Sequence, residues 1–217
     1  MRSTFERNVV PEPALRFLRA CQAVVPCHLG GGAALSGAWL AHRRSRDLDL
    51  FVHDRSLHRD LVAALGSIAQ SVGAEVRALR GDAGHVRAQL LAGGHALDLD
   101  VVHEALADLE QPIRIESILV ESPSDLRAAK LTCILSRSEP RDLVDLLFLE
   151  RAGYPPEKDL PLALRKDAGI DPGILAWLLR QFPVEPLPEM LVSFSVGELL
   201  AYRDDLALRM KRLAVSA

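Results

Sequence analysis

The sequence predicts an α/β (α+β) fold, a mixed sheet flanked by helices and followed by a helical C-terminal part. Three observations predict it. The stretch Gly30 to Val52, GGGAALSGAWLAHRRSRDLDLFV, reads as a glycine turn, a short helix, a basic loop and a strand. The middle of the chain is a run of strand-like segments parted by Gly81-Asp82-Ala83-Gly84 and Gly93-Gly94, which are hairpin signals. Beyond Pro155 the apolar spacing is helical and punctuated by proline.

In chain order, Pro11 opens a helix to about Val24, with Leu15, Leu18, Ala20 and Cys21 along an apolar face. A short strand at Cys27 to Leu29 feeds the glycine turn. A helix from Ala33 to His42 follows, then the strand Asp47 to Val52. Asp54 is placed to cap a helix from Arg55 to Val72, with Leu57, Leu61, Ala64, Leu65 and Ile68 inward. Strands are expected at Glu75 to Leu79, Val86 to Leu91, His95 to His103 and Ile115 to Val120. Ser122-Pro123-Ser124-Asp125 starts a helix to about Leu135, and Pro140 opens another to Arg151. Gly153-Tyr154-Pro155 ends it, which sets a boundary between a core of residues 1–154 and a helical extension of 155–217. Helices are expected there at Glu157 to Asp167, Asp171 to Gln181 and Val196 to Leu213.

The chemistry concentrates in Gly30 to Val52. Glycines let backbone N–H groups approach a ligand closely, and a helix starting just after them points its positive end the same way, which makes a phosphate cradle. Residues two apart on a strand face one side, so Asp47 and Asp49 project together while Leu48 and Leu50 face a core. Two such carboxylates repel unless a cation lies between them, and Mg²⁺ takes carboxylate oxygens together with substrate phosphates. The segment ALDLDVV repeats the pattern, with Asp98 and Asp100 on one face. On the helix from Asp125, Lys130 interrupts an apolar series. Asp145 lies between Leu143-Val144 and Leu146-Leu147-Phe148, so it needs a partner, and Lys130 is the natural one. Asp142 reads as a helix-start carboxylate that complements the macrodipole.

A chain of 217 residues with net charge −3 is long enough for a real core and has no global basic field. A local basic patch exists at His42, Arg43, Arg44 and Arg46. Cys21, Cys27 and Cys133 form no CxxC pair and read as idle thiols in a reducing cytoplasm. The N-terminus has no apolar signal-peptide core, and no apolar run approaches membrane-spanning length. The histidines show no local zinc-ligand spacing, so a zinc site is not expected.

Two groups of motifs carry a family resemblance: GG-x-x-L with HR-x-S-x-D-L-D-L-F, and L-x-x-x-K-L with R-x-x-x-R-D-L-x-D-L-x-F-L. They resemble the AbiEii toxin family, which includes the MenT toxins, within the polymerase-β-like nucleotidyltransferase superfamily. The match covers about Leu29 to Leu149. It implies that an NMP passes from an NTP to an acceptor hydroxyl, with pyrophosphate released and two Mg²⁺ ions bound. On the resemblance, Asp47, Asp49 and Asp100 hold the metals. Asp98 is the alternative third carboxylate. Lys130 and Asp145 complete the catalytic set. Gly31, Gly32, Arg43, Ser45, Lys130 and Arg141 hold the nucleotide, and Arg137 adds a phosphate or RNA contact.

The family commonly shows Thr or Ser soon after the paired glycines; here Ala33 and Ala34 stand there, with Ser36 or Ser45 as stand-in. The resemblance further implies the toxin of a type IV toxin–antitoxin or phage-defence system, with a tRNA 3′ end as acceptor and a cognate antitoxin as partner. The alternatives are nucleotidyl or phosphoryl transfer to a protein or small molecule, and a non-catalytic nucleotide-binding module.

Overall fold

The computed structural model describes residues 2–216. They form two compact units, one ending at Ser122 and the other beginning at Pro123.

The first unit carries the sheet. Helix α1 (Glu12–Val24) starts behind Pro11 and buries Ala14, Leu15, Phe17, Leu18 and Cys21. Strand β1 (His28–Gly30) runs straight into α2 (Gly31–Ala33), which widens into a π-helical segment (Ala34–Leu40). The sequence predicts one ordinary helix from Ala33 to His42. Instead Ala41 N donates to Ser36 O at 2.9 Å, a five-residue step, and Ala41 ends the helix at φ +53.

Strand β2 (Asp47–Val52) follows, then α3 (Arg55–Ser71). Asp54 caps α3 as expected, accepting from Ser56 N and Leu57 N. His58 is buried beside Leu61 and Leu65, and its Nε2 lies 3.1 Å from Val101 O.

The remaining strands are β3 (Ala74–Gly81), β4 (His85–Ala92), β5 (His95–His103), β6 (Ile113–Ile115) and β7 (Ile118–Val120). The sheet order is β3-β4-β5-β2-β1-β7-β6. The pairs β2·β5 and β1·β7 are parallel and the rest antiparallel, so the sheet is mixed. One expectation fails here. Ile115 to Val120 is not a single strand but a hairpin, because Glu116 and Ser117 both take positive φ, at 45° and 70°. Glycine and asparagine advertise such turns, and neither is present. The edge strand β3 is mostly exposed, and its pairing with β4 shifts register between Arg77 and Arg80.

The second unit is helical: α4 (Pro123–Ser136), α5 (Pro140–Arg151), α6 (Pro156–Lys166), α7 (Pro172–Arg180) and α8 (Val196–Ser216). The boundary expected after Tyr154 falls inside this unit. Ion pairs show why α4 and α5 group with the later helices. Arg127 of α4 donates to both oxygens of Asp159 on α6 at 3.0 Å, and Lys166 lies 2.9 Å from Asp125. Arg209 of α8 reaches Glu150 of α5 at 2.7 Å and also meets Glu157. Among the described residues no helix is long and apolar enough to cross a membrane.

Candidate active site

The parallel pairing of β2 with β5 sets Asp47 opposite Asp98 and Asp49 opposite Asp100. Leu48, Leu50 and Val52 on β2, and Leu97, Leu99 and Val101 on β5, are buried on one face. Strand alternation therefore puts all four aspartates on the other face, side by side. The apolar residues fix the register, since a one-residue slip would bury the acids.

The glycine turn closes against this face. Gly30 pairs with Asp49 across β1 and β2. Gly31 has φ +62, and a Cβ built there would stand 1.9 Å from Asp49 Oδ2. At Gly32 an added Cβ would stand 2.9 Å from both Arg43 Nη2 and Ser45 Oγ. Thus Gly31, Gly32, Arg43, Ser45 and Asp49 are brought together, and a side chain at either glycine would displace the polar groups packed against it.

Arg43 is buried at 2 % exposure, and its Nη1 donates to Arg44 O at 2.9 Å. Ser36 Oγ donates to Arg43 O at 2.5 Å and accepts from Arg43 N at 3.3 Å, so this hydroxyl ties the π-helical segment to the basic loop. Ser45 Oγ donates to Asp47 O at 3.4 Å.

Asp100 has two partners that the sequence analysis missed. His85 Nε2 meets its Oδ1, and Arg87 Nε donates to the same oxygen at 3.1 Å. The hydrogen bond to Asp100 raises the Arg87 guanidinium above its ordinary value, helped by the charges of Asp100, Asp98 and Asp47. One cation therefore senses three of the four carboxylates. The signal was present in the chain. The two-residue turn Gly93-Gly94 pairs Ala92 with His95, and counting outward from it sets Arg87 opposite Asp100.

The expected residues of the second unit form a cluster of their own. Lys130 Nζ lies 2.8 Å from Asp145 Oδ2 and 3.1 Å from Asp142 Oδ1. Lys130 is 3 % exposed, and both aspartates are fully buried. Asp142 does more than face the helix start, since Arg137 grips both its oxygens at 2.8 and 2.9 Å. Burial opposes its ionisation, but the charge of Lys130 and the hydrogen bond and charge of Arg137 outweigh that and hold its carboxyl below the ordinary range. Arg141 turns to Glu139, 2.5 Å away.

Four carboxylates on one face offer oxygen donors only, which suits a hard divalent cation. The close-packed glycine turn beside them leaves backbone rather than side chains facing that position.

A model of the family described as "Nucleotidyl transferase AbiEii toxin, Type IV TA system" matches residues 16–212. Among solved structures, JHP933 from Helicobacter pylori is similar, with TM-score 0.59 and 20% identity over 93% of this chain and 90% of that one. So is MenT4, a nucleotidyltransferase toxin from Mycobacterium tuberculosis, with TM-score 0.53 and 16% identity over 93% of this chain and 85% of that one. These likenesses show that the chain shares its fold with those two proteins. Among curated proteins none matches the sequence.

Proposed function

The chain belongs to the AbiEii family of nucleotidyltransferase toxins of type IV toxin–antitoxin systems, and from that premise we propose that it transfers an NMP from an NTP to the 3′ end of a tRNA. The observation that carries this is the in-register pairing of Asp47 with Asp98 and Asp49 with Asp100, closed by Gly31 and Gly32. Asp47, Asp49 and Asp100 would hold Mg²⁺, which would supply charge neutralisation at the phosphates and favour ionisation of the attacking hydroxyl.

The chain's own groups do the rest. Backbone N–H groups at Gly31 and Gly32 receive the phosphates, with Arg43 and Ser45 behind them supporting the turn. Asp100, steadied by His85 and Arg87, takes the acceptor's proton. The acceptor oxygen bonds to the α-phosphorus as the bond to the bridging oxygen breaks, and pyrophosphate leaves. Asp98, exposed on the same face, is the alternative third carboxylate. With no global basic field, the exposed Arg44 and Arg46 of the basic loop, together with Arg87, are the residues that meet the RNA backbone, while His42 and Arg43 are buried. For Lys130 and Arg141 the resemblance supports a contact to nucleotide phosphate, with Asp145 completing the site beside Lys130. The family also implies an antitoxin as partner.

The test is transfer of label to total RNA from α-labelled and, separately, γ-labelled NTPs, for the wild type and for Asp49→Asn. The expected outcome is α-label in the tRNA fraction, lost in the variant. Transfer of γ-label would make it a phosphotransferase. Label found only in protein or a small molecule would overturn the RNA acceptor. Full activity in Asp49→Asn would overturn the site.

A further inference from the structure

Away from the four aspartates, His28 of β1, His53 just after β2 and Asp108 of the loop between β5 and β6 converge. His53 Nε2 lies 3.1 Å from Asp108 Oδ1, and His28 Nε2 lies 3.7 Å from the same oxygen. All three ligand atoms lie within 4.8 Å of one another. His28 is buried, its ring stacked on Phe51 at 5.7 Å, while His53 stands at the solvent side.

The ring of His53 has a fixed sense. Its Nδ1 lies 2.9 Å from Glu104 O, which can only accept, so Nδ1 carries the proton. Nε2 then faces a carboxylate oxygen 3.1 Å away, a contact that takes a proton or a metal ion between the two atoms. A proton would serve two groups. Here three converge, since the second imidazole nitrogen lies 3.7 Å from the same oxygen.

Zinc bonds of about 2.0–2.1 Å to nitrogen and oxygen imply ligand–ligand edges of about 3.3–3.4 Å in a tetrahedron. The two histidine–carboxylate edges, 3.1 and 3.7 Å, bracket that value, and the histidine–histidine edge is no longer than 4.8 Å. A backbone carbonyl on the distal nitrogen of one histidine is the arrangement that orients imidazole toward a metal.

We propose that His28, His53 and Asp108 bind a divalent transition-metal ion of the zinc class, with solvent as the fourth ligand on the open side. The donor set of two imidazoles and one carboxylate prefers such an ion over Mg²⁺. The ion clips the loop bearing Asp108 to the ends of β1 and β2. It is distinct from the aspartate cluster by distance, although Phe51, on which His28 stacks, shares a face with Asp49: His53 lies four residues beyond Asp49, roughly 13 Å along an extended strand.

The experiment uses the untagged full chain, stripped with chelator and dialysed against Zn²⁺ in millimolar Mg²⁺. Co²⁺ serves as a coloured probe. Wild-type protein should take up one Zn²⁺ per chain, show tetrahedral Co²⁺ absorption and melt at higher temperature with zinc. His53→Ala and Asp108→Asn should each weaken uptake at least tenfold and abolish the thermal shift, with unchanged circular dichroism. Asp49→Asn should keep the zinc stoichiometry. No uptake by the wild type, equal uptake by His53→Ala and Asp108→Asn, or loss of zinc in Asp49→Asn would each overturn the assignment.

Discussion

Gly31→Ala separates what the glycine turn contributes to folding from what it contributes to the site. Two costs are readable. The residue has φ +62, where an alanine Cβ crowds the next carbonyl, at about 1–2 kcal/mol. The new Cβ would also stand 1.9 Å from Asp49 Oδ2. Real Cβ contacts essentially never fall below 3.0 Å, so the carboxylate must withdraw by about an ångström. An aspartate side chain turns easily, and this second term adds little to instability. It matters for chemistry, where a misplacement of about 1 Å costs on the order of 100-fold in rate.

Gly94→Ala is the matched control, with φ +81 and nothing within 4 Å of the added Cβ. Urea denaturation should show similar losses of about 1–2 kcal/mol for both variants. Nucleotidyl transfer from α-labelled NTP, measured well below the unfolding transition, should fall about 100-fold in Gly31→Ala and stay near wild type in Gly94→Ala. Equal activity in the two variants would refute the claim that the turn positions Asp49.

Lys130→Met leaves Asp145 buried without its cation and should destabilise the protein by about 3–5 kcal/mol in urea titration. Lys130→Met combined with Asp145→Leu should recover part of that loss. Asp142 ionises more readily in the folded protein than its ordinary value of 3.8. Its contribution is therefore present above that value and lost as pH falls through the lower folded value. Asp142→Asn should lower stability at neutral pH and flatten the acid limb of the stability curve. Burial raises the thiols of Cys21 and Cys27, the latter to about 12, so neither should react with a disulfide reagent at pH 8 until urea exposes it.

What the chain disclosed in advance was local. Alternation in DLDLFV and ALDLDVV gives both acidic strands, and Asp54 and Asp171 mark helix starts because their carboxylates reach N–H groups two and three residues on. Asp145, hemmed in by apolar neighbours, demanded a cation, and Lys130 supplies it at 2.8 Å. What stayed hidden depends on residues far apart in sequence or on uncommon backbone. His85 and Arg87 meet Asp100 only through sheet register. The Glu116-Ser117 turn lacks the residue types that announce it. His28, His53 and Asp108 are brought together by the fold and share no spacing that a linear motif could capture. The helices on either side of Tyr154 are joined by ion pairs such as Arg127 with Asp159, which proline punctuation does not reveal.

The outermost strand has a consequence for how the protein behaves when concentrated. A long flat rim of unpaired amides invites another chain to add itself and start a fibril. β3 discourages that: Glu75, Arg77 and Arg80 lie along it, and its pairing register breaks between Arg77 and Arg80. The opposite rim, β6, is three residues long and gives an incoming strand almost nothing to grip. Shape and charge thus make both flanks of the sheet poor templates for polymerisation.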